Sequence, residues 1–337
     1  MPTLQPTRDI FVQANGLRHH LIARGHPGSP VVLLIHGLAG QAHTFDGIAN
    51  HLAANYHVYC LDVRGRGESE WGAPEDYNTD TYVADLEAVV EALGLQRFSL
   101  IGTSMGGIIT VNYTAKNPDR VQRAVLNDVG PEIDPAGLQR ILQYVGNAPE
   151  MFADLKSVVK YYKEHYAPMV EHLNDDQLAE FARHNVRKSD SGMYVWEMEG
   201  SVRPKAGKTP TRDQWEGMKG RKGRLLVLRG GKSDVLSADI ARRMLEALPD
   251  GKLVEVPGVG HAPVLTEPEA KAAHVDDDKP AEEWPKAGFV LTTTGSTPIS
   301  GITKAKAALD AAVAKAINGE ALSGWRIHDL RRTLATG

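Results

Sequence analysis

A serine stands between two glycines in the stretch Gly102-Thr103-Ser104-Met105-Gly106. The apolar run at 97–101 predicts a buried strand, and residues 108–116 predict a helix. A strand, a sharp turn holding a serine, and a helix together form a nucleophile elbow, in which glycines leave room beside the strained turn. Because a neutral serine hydroxyl attacks weakly, the motif predicts catalysis only if the chain also supplies a base, an acid and oxyanion donors.

Two further polar residues follow predicted strands, in the chain order acid then histidine. His261 is expected to act as the general base that accepts the proton of Ser104. Asp234 is expected to orient the imidazole and to stabilise its protonated form. Asp128, at the end of the strand after the elbow helix, is the alternative acid. We favour Asp234 because the stretch 230–234 forms a loop that reaches over the strand edge.

Backbone amides are the expected oxyanion donors. His36-Gly37-Leu38 ends the strand 31–35, which should lie beside the elbow strand. The N–H groups of Leu38 and Met105 are therefore predicted to form an oxyanion hole, in which one donor contributes roughly 3 kcal/mol or more. The ring of His36 is expected to have a structural role as a hydrogen-bonding group at the strand end.

The remaining pattern describes the elements that must position these residues. Asn15-Gly16 between two apolar stretches predicts a hairpin. Strands then alternate with amphipathic helices, which is typical of an α/β protein with a mostly parallel sheet. Further strands are expected at 58–62, 123–128, 225–228 and 253–256, and helices at 45–54, 82–93 and 238–248.

The alternation stops between Pro131 and about Lys222, where the sequence is helical and rich in aromatic residues. A helical insertion between two strands should cover the carboxyl edge of the sheet as a cap. The alternative is a separate helical domain without a catalytic role. Phe152 and Trp196 are candidate residues of the substrate pocket, which we expect to accept a mostly apolar acyl or alcohol group.

Composition excludes several classes of protein. The chain has 337 residues, a formal net charge of -4, 42% hydrophobic and 24% charged residues, as in an ordinary globular protein. The charge balance argues against a nucleic-acid surface, and no apolar run predicts a signal peptide or a membrane span. The single cysteine, Cys60, allows no internal disulfide and is expected inside a strand. These features predict a cytoplasmic protein. Catalysis by a serine, a histidine and an acid is expected to need no metal or organic cofactor.

Residues from Ile10 to Glu269 resemble enzymes of the α/β-hydrolase fold. The resemblance rests on His36-Gly37, Asp62-x-Arg64-Gly65-x-Gly67-x-Ser69, Gly102-x-Ser104-x-Gly106-Gly107, Gly231-x-x-Asp234 and Gly260-His261. It implies an eight-stranded, mainly parallel sheet with a helical cap inserted after the sixth strand. Epoxide hydrolases and haloalkane dehalogenases share much of the pattern, but their nucleophile is an aspartate.

Ser104 therefore favours a serine carboxylesterase that cleaves small-molecule esters through an acyl-enzyme. A C–C bond hydrolase or a lactonase of the same fold is the alternative. The resemblance divides the chain into a hydrolase core at 1–130 and 223–274 and a cap at 131–222. The third part is a C-terminal extension at 275–337.

The extension has a different character. Residues 281–337 resemble a fragment of a phage-type integrase, or tyrosine recombinase, with His328-x-x-Arg331 matching the second catalytic box of that family. The earlier arginine and the later tyrosine nucleophile of the family are not recognisable, so we expect neither recombination nor a functional nucleic-acid partner. A DNA-binding integrase relic is the non-enzymatic alternative. We interpret the segment as a gene fusion, which could support a homo-oligomer through an apolar helical face at 304–317.

Overall fold

An eight-stranded sheet forms the centre of the protein. The computed structural model describes residues 6–270, apart from 167–169, 171–172, 203–213, 220, 249–250 and 268–269. The strands lie in the order β1-β2-β4-β3-β5-β6-β10-β11. Their bounds are β1 Arg8–Ala14, β2 Leu17–Arg24, β3 Val31–Ile35, β4 His57–Leu61, β5 Phe98–Thr103, β6 Val121–Asn127, β10 Arg224–Gly230 and β11 Lys252–Val256.

The predicted α/β class and the mostly parallel sheet are confirmed. Strands β1 and β2 pair antiparallel, β2 pairs antiparallel with β4, and every other pair of neighbours in this sheet is parallel. The predicted hairpin is present, with Asn15 at φ 47° and Gly16 at φ 80°. Two successive residues with positive φ make the kind of turn that matches the twist of a hairpin.

Helices cover both faces of this sheet, as its apolar strands require. In the sheet-covering layers, α1 is Asp46–Leu52, α2 Thr79–Ala92, α3 Met105–Lys116 and α8 Ala238–Ala247. A short 3-10 helix, Ala42–Phe45, precedes α1. Helix α3 begins three residues earlier than its apolar pattern predicts, because Gly106 and Gly107 carry no periodic signal. The two glycines are needed there, since a Cβ on Gly106 would lie 2.1 Å from the carbonyl oxygen of Ile35.

The segment 131–222, inserted between β6 and β10, contains four described helices of five residues or more. They are α4 Pro135–Gly146, α5 Leu155–His165, α6 Asp175–His184 and α7 Gln214–Lys219. The segment also holds a small antiparallel sheet, β7-β9-β8, that the sequence pattern did not predict. Its strands, β7 Met151–Phe152, β8 Val186–Lys188 and β9 Tyr194–Trp196, are too short for an alternating pattern to emerge.

Two hydrophobic clusters stabilise these layers. One lies between the large sheet and its helices and includes Leu33, Leu100 and Tyr113. The other lies within the inserted segment, where Phe152, Tyr162 and Trp196 pack together. The insertion therefore has a core of its own, which allows it to keep its shape beside the sheet.

In the described part of the chain, each helix is too short or too polar to cross a bilayer. The C-terminal extension, with its integrase-like residues, lies outside the described residues, and its interpretation stays a prediction.

Candidate active site

Ser104 lies on the sharp turn between β5 and α3, with φ 52° and ψ -117°. This backbone conformation is strained for a residue with a side chain, as expected of a nucleophile elbow. The flanking glycines are required by close packing: a Cβ on Gly102 would lie 2.3 Å from the carbonyl oxygen of Gly106. The reason predicted for the glycine spacing is therefore confirmed.

His261 connects Ser104 to a buried carboxylate. Its Nε2 lies 2.9 Å from Oγ of Ser104, and its Nδ1 lies 2.6 Å from Oδ2 of Asp128. With Nδ1–H donating to the carboxylate, Nε2 is the acceptor for the serine proton, which is the arrangement of a Ser-His-Asp triad. Ser104 and His261 are thus brought together as the sequence predicted.

The carboxylate in contact with His261 belongs to Asp128, the alternative candidate, and not to Asp234, which we favoured. Asp234 forms a two-bond ion pair with Arg140 of α4, at 2.5 and 2.7 Å. These hydrogen bonds, more than any other interaction, lower the pKa of Asp234. Its carboxylate is occupied by a cation from the inserted segment, so it is not the group that orients His261.

The carboxylate of Asp128 is buried and receives hydrogen bonds on both oxygens. It is fully buried, and its two oxygens also accept hydrogen bonds from the backbone N–H of Gly230 (2.8 Å) and the hydroxyl of Ser233 (2.6 Å). Buried carboxylates need such donors to offset their lost hydration. The available sequence signal was an aspartate directly after the apolar strand β6. The last residue of β10 and the loop after it, which suggested Asp234, instead supply the donors that hold Asp128.

The loop after β3 lies against the elbow. A Cβ on Gly37 would be 3.4 Å from the Cβ of Ser104. Within the described part of the chain, neither Leu38 nor Met105 donates its backbone N–H to another protein group. Met105 begins α3, where N–H groups are free and the helix dipole is positive. Both amides are available as oxyanion donors, and that role remains a proposal.

His36 has the structural role predicted for it. Its Nδ1–H donates to the carbonyl of Gly37 (2.7 Å), and its Nε2 accepts from the backbone N–H of Val63 (3.0 Å). Complete burial lowers the pKa of His36 to about 4, so the ring is neutral at neutral pH. The histidine thereby joins the loop that carries Leu38 to the loop after β4.

The carboxylate of Asp62 accepts hydrogen bonds from the loop after β3 and from the loop after β4. One carboxylate oxygen accepts from the N–H of Ala42 (2.6 Å), and the other accepts from Nδ1–H of His20 and from the N–H of Glu68. A Cβ on Gly67, at φ 51°, would lie 2.2 Å from this carboxylate. The aspartate and glycines of the 62–69 motif therefore position the loop beside the elbow and do not themselves react.

A narrow cleft lies between the loop after β3 and the inserted segment. The loop contributes Ala39, Gly40 and Gln41, and the insertion contributes Val145, Ala148 and Trp196, among others. Trp196, a predicted pocket residue, lines this cleft. Phe152 is not among its lining residues: it packs edge-on against Trp196, with ring centroids 5.2 Å apart, inside the aromatic cluster.

One histidine pair links the core to the insertion. The rings of His43 and His184 stack at 3.7 Å, and with Asp46 they form the one group of metal-ligand type found among the described residues. His43 Nδ1 lies 2.9 Å from Oδ2 of Asp46, and the other carboxylate oxygen of Asp46 is paired with Arg24. The three residues form a polar contact between the core and the inserted segment. Cys60 is buried, which raises the pKa of its thiol to about 12 and makes it unreactive.

Comparisons with known proteins agree with this fold. A model of the alpha/beta hydrolase fold matches residues 30–268. The 3-hydroxybutyrate-oligomer hydrolase of Cupriavidus necator is 31% identical over 255 residues, 72% of this chain and 87% of that protein. The 2-(acetamidomethylene)succinate hydrolase of Mesorhizobium japonicum is 26% identical over 72% of this chain and 84% of that protein.

Among solved structures, an alpha/beta hydrolase from Novosphingobium aromaticivorans is 36% identical, with a TM-score of 0.70, and the match covers 78% of this chain and 95% of that one. The sheet order, the serine elbow and the matched span lead to one assignment. The chain belongs to the α/β-hydrolase fold family and is a hydrolase.

Proposed function

We propose that this hydrolase cleaves carboxylic esters through a covalent acyl-enzyme. The observation that carries the proposal is the continuous hydrogen-bonded chain from Ser104 through His261 to Asp128. In this mechanism His261 removes the proton from the hydroxyl of Ser104 as its oxygen attacks the ester carbonyl carbon. The protonated imidazole, stabilised by Asp128, then donates that proton to the leaving alcohol.

The second half of the reaction reverses these roles. Water enters, His261 takes one of its protons, and the resulting hydroxide attacks the acyl carbonyl. The Ser104 oxygen leaves and recovers a proton from the imidazole. In both halves the amides of Leu38 and Met105 stabilise the negative carbonyl oxygen.

The substrate class we propose is a short oligoester of a hydroxy acid. The relative from Cupriavidus necator, which the match spans for 87% of its length, is a 3-hydroxybutyrate-oligomer hydrolase. The cleft supports such a substrate, because the apolar side chains of Val145, Ala148 and Trp196 line it together with a few polar groups. The inserted segment would then act as the cap that selects the acyl or alcohol group.

Amide hydrolysis is a second candidate, because the relative from Mesorhizobium japonicum is named for an acetamido substrate. The same triad serves esters and amides, which differ in how readily the leaving group departs. C–C bond hydrolysis and lactone opening are the alternatives predicted from sequence, and they also use a serine, a histidine and an acid.

The test is a substrate panel run with native protein and Ser104→Ala. It contains p-nitrophenyl esters of increasing chain length, 3-hydroxybutyrate dimer and trimer, a butyrolactone, an N-acetyl enamide and a dienoic ring-fission product. We expect the hydroxybutyrate oligomers to have the highest kcat/KM and Ser104→Ala to be inactive on all substrates. A serine-directed fluorophosphonate should label Ser104 stoichiometrically. Preferred turnover of the enamide or the ring-fission product would contradict ester cleavage.

A further inference from the structure

The side chain of Gln41 carries a buried donor that the fold does not use. Gln41 is 3% exposed and lines the cleft. Its Nε2 is shielded from solvent and has no hydrogen-bond partner among the described residues. A buried amide donor without a hydrogen-bond partner costs roughly 1–3 kcal/mol of stability. Natural proteins therefore rarely contain such a donor without a functional reason.

The orientation of this amide is determined by its other end. Gln41 is the N-cap of the 3-10 helix Ala42–Phe45, and its Oε1 accepts a 2.7 Å hydrogen bond from the backbone N–H of His43. Because only the oxygen can accept, the NH2 group must be the free end. The hydroxyl oxygen of Thr44 accepts from the backbone N–H of Gln41 (3.2 Å) and completes a capping box.

Helix capping alone does not account for a glutamine here. Serine, threonine, aspartate and asparagine are the usual N-cap residues, and a serine or an aspartate would cap the helix without burying an amide NH2 group. The extra donor stands three residues after Leu38, on the loop that supplies the proposed oxyanion donor. It therefore lies on the cleft and on the same loop as the amide of Leu38.

We propose that Gln41 is a specificity-determining residue whose NH2 group binds a second carbonyl oxygen of the substrate, one ester unit away from the bond that is cleaved. This inference rests on the proposed ester hydrolysis and deepens it. A hydroxy-acid oligoester repeats a carbonyl acceptor along its chain, whereas a simple alkyl ester has only the scissile one. The donor is pre-oriented by its cap and shielded from water, so little is lost in ordering it when substrate binds.

The apolar lining of the cleft completes the argument. Val145, Ala148 and Trp196 line the cleft beside the polar side chains of Tyr166, Asn185 and Glu197, and none of these residues pairs with the Gln41 amide. The aliphatic part of a hydroxybutyrate unit would pack on these side chains while its carbonyl pairs with Gln41. An enzyme that must reject simple esters gains most from this kind of buried polar group, because a substrate that lacks the acceptor leaves the donor unpaired.

The experiment measures binding separately from turnover. In a Ser104→Ala background, isothermal titration calorimetry compares methyl 3-acetoxybutyrate with methyl 3-ethoxybutyrate, which has a methylene in place of the second carbonyl. We expect the acetoxy ester to bind on the order of tenfold more tightly, as one buried neutral hydrogen bond provides. Adding Gln41→Met should bring the ratio of the two dissociation constants close to one.

Two matched variants separate the subsite from loop damage. Thr44→Val removes the other hydrogen bond of the capping box and should keep the affinity ratio. Gln41→Glu keeps the capping oxygen but replaces the donor, and it should abolish the ratio even if Gln41→Met does not fold. An equal affinity for both esters before mutation, or a ratio unchanged by the Gln41 variants, would overturn the proposal. Discrimination without any ester turnover by the native protein would instead contradict the proposed function.

Discussion

Asp128 and His261 are 133 positions apart in the chain, yet their side chains form a 2.6 Å hydrogen bond between a fully buried carboxylate and the imidazole. The bond links the end of β6 with the loop after β11 and places the second ring nitrogen against Ser104. Asp234, which follows the strand between them, is paired with Arg140. The roles of the two aspartates can therefore be separated by experiment.

Asp128→Asn should lower kcat on the order of 10⁴-fold, because an amide at this position favours the wrong imidazole tautomer and cannot stabilise the imidazolium. Asp234→Asn is the matched control and should lower kcat by less than about tenfold, since the carboxylate of Asp234 pairs with Arg140 while Nδ1 of His261 pairs with Asp128. Steady-state kinetics on the best ester measures both, with circular dichroism to verify folding. If Asp234→Asn were the more damaging change, the acid would have to be reassigned.

The Arg140–Asp234 pair should give the protein a small pH-dependent stability. The hydrogen bonds from Arg140 lower the pKa of Asp234 in the folded state. The pair therefore stabilises the fold above the unfolded carboxyl pKa of about 3.9, and this contribution is lost as pH falls through the lowered folded value. Both side chains are 36% exposed, so solvent screening limits the effect to about 1 kcal/mol or less.

Arg140→Gln tests this dependence. Its melting temperature should lie slightly below that of the native protein at pH 7, and the difference should shrink as the pH approaches 3. Arg242→Gln, which removes surface pairs within α8 alone, is the control for a general loss of positive charge. A difference in melting temperature that grew towards low pH would have the wrong sign for this mechanism.

Trp196 and Phe152 should respond differently to truncation. Trp196→Leu replaces a large side chain of the cleft wall by a smaller one and so enlarges the cleft. The ratio of kcat/KM for long-chain to short-chain p-nitrophenyl esters should rise by at least about threefold. Phe152→Leu removes volume from the aromatic cluster behind it and should cost about 1–2 kcal/mol of stability while leaving the preference unchanged. Chemical denaturation and a chain-length series measure the two effects. Equal changes of preference would mean that the whole cluster shapes the pocket.

The integrase-like residues should contribute nothing to hydrolysis. His328 and Arg331 belong to the extension, whereas the family match ends at residue 268 and the triad is complete at His261. The full-length double variant His328→Ala, Arg331→Ala is expected to keep the native kcat and KM on esters. DNA retention at low and high salt, measured on the same two proteins, tests the alternative of a DNA-binding relic. A loss of esterase activity in the double variant would show that the extension supports the active site.

Much of the site was determined by local sequence. The glycines around Ser104 report a backbone conformation and a close approach that no other residue permits, so the elbow could be predicted without knowing its neighbours. The apolar runs that precede His36, Ser104 and His261 predicted strands whose carboxyl ends share one edge. His36 could likewise be interpreted correctly, since a buried histidine at a strand end needs backbone partners.

Only the tertiary structure decided which aspartate serves His261 and which aromatic residue reaches the cleft. Asp128 and Asp234 follow the adjacent strands β6 and β10. Neighbouring strands lie only about 5 Å apart, so the sheet edge alone does not distinguish the two aspartates. The choice depends on partners distant in sequence. Gly230 and Ser233 donate hydrogen bonds to the buried carboxylate of Asp128, and Arg140 pairs with Asp234. Such long-range compensation of charge has no periodic signature in the chain, because it arises only when separate loops meet.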